Sequence, residues 1–323
     1  NYQPAQVLLG AVHLEKGSLG QAEMYLSAAV ANNPSDVNAR KLLADTRLRQ
    51  GRASEASSIL DPLLGDGARD AGALSMAARA SVGSGEYGQA AEYISQQLAD
   101  DPENTELKLD LAATYLFAGD TERAQSILDG VTENTDADSR RGATLRLLAR
   151  LARGESEGAL QDATALLERW PDDPRLRVLV GSIQNSAGLS TEAVANLEEA
   201  IELSPEDVNV YIRLARILAA EGDLVGARSE AMRALDIAPG DARVLTELAI
   251  ISALKEDRAN TRKWLEQARS ADPAAIPPRI MLARLHLSNK EFDAASKVAQ
   301  ELIEINDSNA EGHNIYGLAL DGK

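Results

Sequence analysis

The chain contains no cysteine. That excludes disulfide bonds, a thiolate nucleophile and any Cys-ligated metal, and it leaves the redox compartment open. Aromatic residues make up only 3% of it; with Ala and Leu plentiful, this scarcity favours close-packed helices over a β-rich fold. Basic residues are short too, with Lys and Arg numbering 33 against 50 Asp and Glu, a formal net charge of -17. No Lys/Arg cluster is present to meet a phosphate backbone, so nucleic acid is not an expected partner. No apolar run approaches the roughly 20 residues that span a bilayer. The opening residues, NYQPAQ, offer neither a basic leader nor an initiator Met, and the expectation is a chain processed or excised from something longer.

What the chain does have is enough apolar residue, 44% of 323, to bury a core; size alone would allow about two domains. It also has a period. Gly17, Gly51, Gly85, Gly119, Gly154, Gly188 and Gly222 are separated by 34, 34, 34, 35, 34 and 34 residues. Ala22, Ala56, Ala90, Ala124, Ala159, Ala193, Ala227 and, after one gap, Ala295 keep the same step, as do Pro34, Pro102, Pro171, Pro205, Pro239 and Pro273, with Ala68, Asp136 and Asp307 where proline is missing. Within one period, Val210, Leu214, Ile217 and Leu218, then Ala227, Ala231, Ala234 and Leu235, recur at helical spacing and describe two short amphipathic helices. Glycine between them permits a positive-φ turn, proline ends the second helix, and Glu86, Asp120, Glu155 or Asp223 after the glycine is placed to cap that helix. Such a pair cannot bury its apolar face alone, so neighbours must stack.

Residues 174–207, with Val180-Gly181, Gly188, Ala193, Leu197, Ala200 and Pro205, resemble the tetratricopeptide repeat, a 34-residue helix-turn-helix. The resemblance implies an all-α fold, a right-handed superhelical solenoid of antiparallel helix pairs. It covers residues 1–323 as one array, with repeats at 3–36, 37–70, 71–104, 105–139, 140–173, 174–207, 208–241, 242–275 and 276–309 and a partial unit at 310–323. Departures fall at Glu256, Thr261 and Lys290, which replace Gly, Ala and Gly and predict costlier turns. In repeat five, Arg146 and Arg150 occupy positions that should be apolar, whereas Leu147, Leu148 and Leu151 fit if the loop is one residue short.

Little here carries chemistry. Of three histidines, His13 and His286 fall where the family usually has Tyr and are expected to pack between helices, and His313 has no ligand at i+4. There is no HExxH. Asp307-Ser308-Asn309-Ala310-Glu311-Gly312 imitates a calcium loop but would place Leu318 where a bidentate Glu is required, so an inter-repeat turn is expected. Gly65-Asp66-Gly67 with Gly72 lacks the preceding strand and the GKS of a phosphate loop. Acidic pairs such as Asp172-Asp173 and Glu198-Glu199 read as solvated charge. The expectation is a non-enzyme with no cofactor and no metal.

The resemblance also implies a binding surface, the inner groove lined by the first helix of each repeat. Transferring the family's lining positions gives Asn38, Lys41, Asp45, Arg79, Asp110, Arg175, Asn185, Asn209, Arg213, Arg216, Arg243, Glu247, Arg284 and Asn314 as polar candidates for a protein or peptide partner, partly acidic, or a glycan. Salt bridges within the array compete for each Arg. The Lys-and-Asn clamp that some members use for a C-terminal carboxylate is not matched, since Lys41 is followed by Asp45 and the next repeat offers Met76.

A narrower resemblance lies in Pro4 to Leu64, notably LLGAVH, QAEMYLS and ARKLLADTRLRQG, and in AEGHNIYGLALDGK near the other end. These are similar to the long repeat lipoproteins of bacterial PEP-CTERM/exosortase sorting systems, the PrsT family. That implies an internal segment of a periplasmic, outer-membrane-anchored scaffold working beside exopolysaccharide machinery, prone to end-to-end self-association when isolated. The alternatives are a cytoplasmic adaptor, or a binding segment of a larger protein whose catalytic domain lies elsewhere.

Overall fold

A computed structural model describes residues 2–65, 70–131 and 136–322. Among these residues there are nineteen α-helices and no strand. They run as consecutive pairs: α1 (Gln3–Glu15) with α2 (Leu19–Asn32), α3 (Val37–Arg49) with α4 (Ala53–Leu60), α5 (Ala71–Gly83) with α6 (Tyr87–Asp100), α7 (Thr105–Phe117) with α8 (Thr121–Asp129), α9 (Asp136–Ala152) then α10 (Ser156–Arg169), α11 (Pro174–Ser186) with α12 (Ser190–Leu203), α13 (Val208–Ala220) with α14 (Leu224–Ile237), α15 (Ala242–Leu254) with α16 (Arg258–Ala271), α17 (Ile276–Ser288) with α18 (Phe292–Ile305), and finally α19 (Ala310–Asp321). The chain divides into two compact bodies, Asn1–Ala159 and Leu160–Lys323.

The periodic residues explain the pairs. All seven periodic glycines have positive φ, from 70° at Gly17 to 87° at Gly222. That conformation turns the chain between the helices of a pair, and it is the region that penalises a Cβ. Glu256 (φ 57°) and Lys290 (φ 61°) adopt it without glycine, so the turn geometry is imposed by the packed helices on either side. Each periodic proline stands two residues beyond a second helix, as Pro205 does after Leu203, where its missing N–H and fixed φ stop the helix from continuing. Ala22, Ala56, Ala90, Ala124, Ala159, Ala193, Ala227 and Ala295 are all fully buried: a methyl is what fits where the helices approach closely. Thr261, at the same position, is also buried, and its hydroxyl donates to the Asp257 carbonyl at 2.8 Å, which satisfies the polar atom within the helix.

Capping departs from expectation. Asp120 and Asp223 do accept from the backbone of Arg123 and Gly226, but Glu86 makes no such bond and Glu155 turns to Arg153 at 2.8 Å. The extra methylene of Glu carries its carboxylate past the helix end. The more regular caps belong to the first helices, where Asp36, Asp70, Asn104, Asp173, Asp207, Asp241 and Asn309 each accept a backbone N–H. Their 34-residue step is visible in the sequence two residues after each proline position.

α9 differs from the other first helices. It has 17 residues where α7 and α11 have 13. Leu145, Leu147 and Ala149 are its buried face, Leu151 is half-buried, and Leu148, expected inside, is 37% exposed. Arg146 and Arg150 do not need apolar positions: their stems are half-buried and Arg146 donates to the Leu128 carbonyl at 3.0 Å. Residues Asp66, Gly67 and Ala68 of the sequence reading lie outside the described residues.

His13 stacks on Tyr25 with ring centroids 5.5 Å apart, and buried His286 meets Glu291 at 2.5 Å. His313 contacts the Asp307 carbonyl at 2.8 Å. Residues 306–309 form the inter-repeat turn that ends with Asn309 capping α19.

Candidate functional site

All fourteen candidate residues lie on first helices. These helices also touch one another in succession: α1 touches α3 and α3 touches α5, α7 touches α9, α13 touches α15, and α17 is in contact with both α15 and α19. A shared face results within each body, and residues one period apart on it come within reach.

In the N-terminal body the face holds Asn38, Lys41, Asp45, Arg79 and Asp110. Asn38 is exposed. Lys41 is committed to Asp70, the α5 cap, at 3.0 Å. The backbone N–H of Ala73 first, and Lys41 second, hold the Asp70 carboxyl below the usual range. Asp45 pairs with Arg49 at 3.0 Å and lies 3.8 Å from Arg79, whose side chain is 62% exposed. Asp110 accepts from Arg141 on α9. Between α5, α6, α7 and α9 lies a cavity of about 390 Å³. Ala78, Val82, Ile94, Leu107 and Phe117 form its apolar walls, and Arg79, Asp110 and Arg141 add charge. Phe117 is 65% exposed, its ring 6.0 Å from that of Tyr87. The sequence reading missed Arg141 and Phe117. The signal for Arg141 is present, since it stands 34 residues before Arg175.

In the C-terminal body the face is of a different kind. Arg175, Arg213, Arg216, Arg243 and Arg284 are exposed, as are Asn185, Asn209 and Asn314. Glu247 is the exception at 2% exposure; its carboxylate takes a 2.7 Å bond from Arg216, which is otherwise open to solvent. Arg243 bridges two repeats, donating to Asn209 at 2.7 Å and to Asp241 at 2.6 Å. Its hydrogen bonds hold the Asp241 carboxyl below the ordinary value of 3.8. Arg284 meets Glu311 at 2.8 Å. Among the described residues Arg213 finds only the Ser182 hydroxyl, at 3.4 Å. Among the described residues no such cross-repeat contact gathers the side chains of Arg175, Asn185 or Asn314. The array thus consumes part of the predicted groove in its own ion pairs, and most of these are solvent-exposed and cheap to exchange.

No group of three or more His, Asp or Glu among the described residues is arranged to hold a metal ion. No described helix is long and apolar enough to cross a membrane.

Comparison with known proteins agrees with this geometry. A family model described as Tetratricopeptide repeat matches residues 13–80, 81–151, 185–251 and 254–318, and a second of the same description matches 144–195. No curated protein matches the chain. Among solved structures, a tetratricopeptide repeat protein from Parabacteroides merdae is similar with a TM-score of 0.61 at 20% identity, over 79% of this chain and 97% of that one. The human IFIT1 dimer with m7Gppp-AAAA gives 0.62 at 13% identity, over 97% and 80%. The C-terminal part of a repeat protein from Cytophaga hutchinsonii gives 0.51 at 16%, over 74% and 97%. At these identities the likeness is one of fold. Repeat period, helix pairing and family match converge, and the chain belongs to the tetratricopeptide repeat family, whose arrays suggest a protein-interaction scaffold.

Proposed function

We propose that this chain is a non-catalytic docking scaffold of the bacterial cell envelope, serving PEP-CTERM/exosortase protein sorting and exopolysaccharide-associated assembly. The observation that carries the docking part is the first-helix face, where polar side chains at fixed repeat positions surround an apolar cavity of about 390 Å³ in the N-terminal body. A cavity of that size accepts a large side chain of a partner, and exposed Arg79 at its edge adds orientation. The envelope part rests on the similarity of LLGAVH, QAEMYLS, ARKLLADTRLRQG and AEGHNIYGLALDGK to the PrsT lipoproteins. In this reading the full-length protein is periplasmic and held at the outer membrane by a lipid.

The test is crosslinking and mass spectrometry of the full-length protein in its own cells, after fractionation, beside a variant in which Ala113→Trp fills the cavity. Envelope partners that fall away in the variant are the expected result. A protein found in the cytosolic fraction overturns the envelope role. A partner set unchanged by the filled cavity overturns the docking site.

A further inference from the structure

Charge is segregated between the two kinds of helix in the four helix pairs from α11 to α18. The first helices α11, α13, α15 and α17 contain seven arginines, no lysine and a single carboxylate, Glu247. The second helices α12, α14, α16 and α18 contain ten Asp or Glu against seven Lys or Arg. Two of the seven first-helix arginines are structural: Arg177 pairs with Glu199, and buried Arg279 donates to the Asp272 and Ala275 carbonyls. The other five, Arg175, Arg213, Arg216, Arg243 and Arg284, are all exposed, whereas Glu247 is buried. These four helices therefore show solvent five guanidinium groups and no carboxylate, in a chain whose net charge is -17.

We infer that this face binds an extended acidic polypeptide segment, with carboxylates spaced about every third residue. The inference rests on reading the first-helix face as a docking surface and specifies its occupant. The spacing follows from the repeat. Each of the four helices shows at least one arginine, Arg175 on α11, Arg213 and Arg216 on α13, Arg243 on α15 and Arg284 on α17, and Arg175, Asn209 and Arg243 occupy one repeat position. The 2.7 Å bond from Arg243 to Asn209 shows that equivalent positions on successive first helices adjoin. Helices in contact lie about 8–10 Å apart, which an extended chain covers in about three residues at 3.3–3.6 Å each.

Carboxylate is also the group these arginines already hold. Arg216, Arg243 and Arg284 rest on Glu247, Asp241 and Glu311, and a guanidinium fork suits a carboxylate in two-point contact. Arg175 and Arg213 have no carboxylate among the described residues, so they are the charges open to a partner. Exposed Asn185 adds a donor and an acceptor of the kind a peptide group meets. A nucleic acid fits less well, because its dense charge would run beyond this face over the acidic second helices.

Arg175→Glu with Arg213→Glu is the suitable variant. Both side chains are exposed and neither supports a buried group, whereas changing Arg216 would strand Glu247. Fluorescence anisotropy would compare the whole chain and this variant, with circular dichroism confirming equal helicity. The probe is a labelled 15-residue peptide carrying Glu at every third position, with a Gln counterpart, polygalacturonate and a 15-nucleotide single strand as competitors.

The expected result is binding of the Glu peptide that weakens at least tenfold in the variant, in the Gln peptide, and on raising salt from 50 to 300 mM, each a factor that charge contacts of this number produce. Equal binding of the Gln peptide or of the variant overturns the proposal, as does no binding at all. Tighter binding of polygalacturonate or of the nucleotide strand, lost in the same variant, also overturns it and replaces the polypeptide. None of these failures touches the scaffold reading, which depends on partners crosslinked in cells and on the cavity of the other body.

Discussion

Replacing Gly222 by Ala separates backbone strain from packing. Gly222 sits at φ 87°, and a Cβ built there meets nothing within 4 Å, so any loss of stability belongs to the backbone alone. A left-handed conformation costs an L-residue roughly 1–2 kcal/mol, while removing glycine's freedom from the unfolded chain returns about 0.4–1 kcal/mol. The net expectation is a destabilisation of about 1 kcal/mol. The reverse change at Glu256, φ 57°, should stabilise its turn by about 0.5–1 kcal/mol on the same reasoning. A repeat array unfolds in parts, so a local readout assigns the change to its own helix pair where a global transition only sums it with the rest. Hydrogen exchange of α13–α14 and α15–α16, followed by mass spectrometry, is the better assay. About 1 kcal/mol corresponds to roughly fivefold faster opening of the Gly222 turn's helices, and Glu256→Gly should slow opening of its own pair. Wild-type exchange in Gly222→Ala, or faster exchange in Glu256→Gly, would refute the assignment of these positions to strained left-handed turns.

Other outcomes follow from the same packing. Ala227→Leu places a large side chain where exposure is 0% and should cost about 1–3 kcal/mol or more by overpacking, read by urea unfolding of far-ultraviolet ellipticity. Arg216→Ala strands the buried Glu247 carboxylate and should destabilise by about 1–3 kcal/mol; Glu247→Gln in the same chain should recover part of that loss, whereas Arg213→Ala alone should change little. The Asp36 carboxyl is held below the ordinary 3.8 chiefly by the Ala39 N–H, and that of Asp241 by Arg243. Carboxyls depressed in the folded state contribute stability that is present above the ordinary value and is lost as pH falls through their lowered values. Thermal stability should therefore drop on acidification from about pH 4 downward. Asp36→Asn with Asp241→Asn should flatten that drop, while the amide oxygen of each introduced asparagine still caps its helix.

The step of 34 residues between Gly188 and Gly222, with Ala227, Ala231 and Ala234 at helical spacing, determines two helices, the turn between them and the face that is buried. All three alanines are fully buried. These are local matters: a turn needs a residue that tolerates positive φ, a close contact needs a small one, and neither depends on distant parts of the chain. The caps at Asp207 and Asp241 are equally readable, being set by the same period.

Which charges remain available is settled by tertiary packing alone. In the sequence Arg213, Arg216 and Arg243 look alike. Folded, Arg216 is held by a carboxylate 31 residues away, Arg243 by an asparagine 34 residues away besides its neighbour Asp241, and Arg213, among the described residues, by a hydroxyl 31 residues away. Such pairings depend on the rotation and rise from one helix pair to the next and on the reach of a flexible side chain. The pattern within a repeat does not contain those quantities. The apolar cavity beside Arg79 and the length of α9 belong to the same class, because each is set by how neighbouring repeats meet.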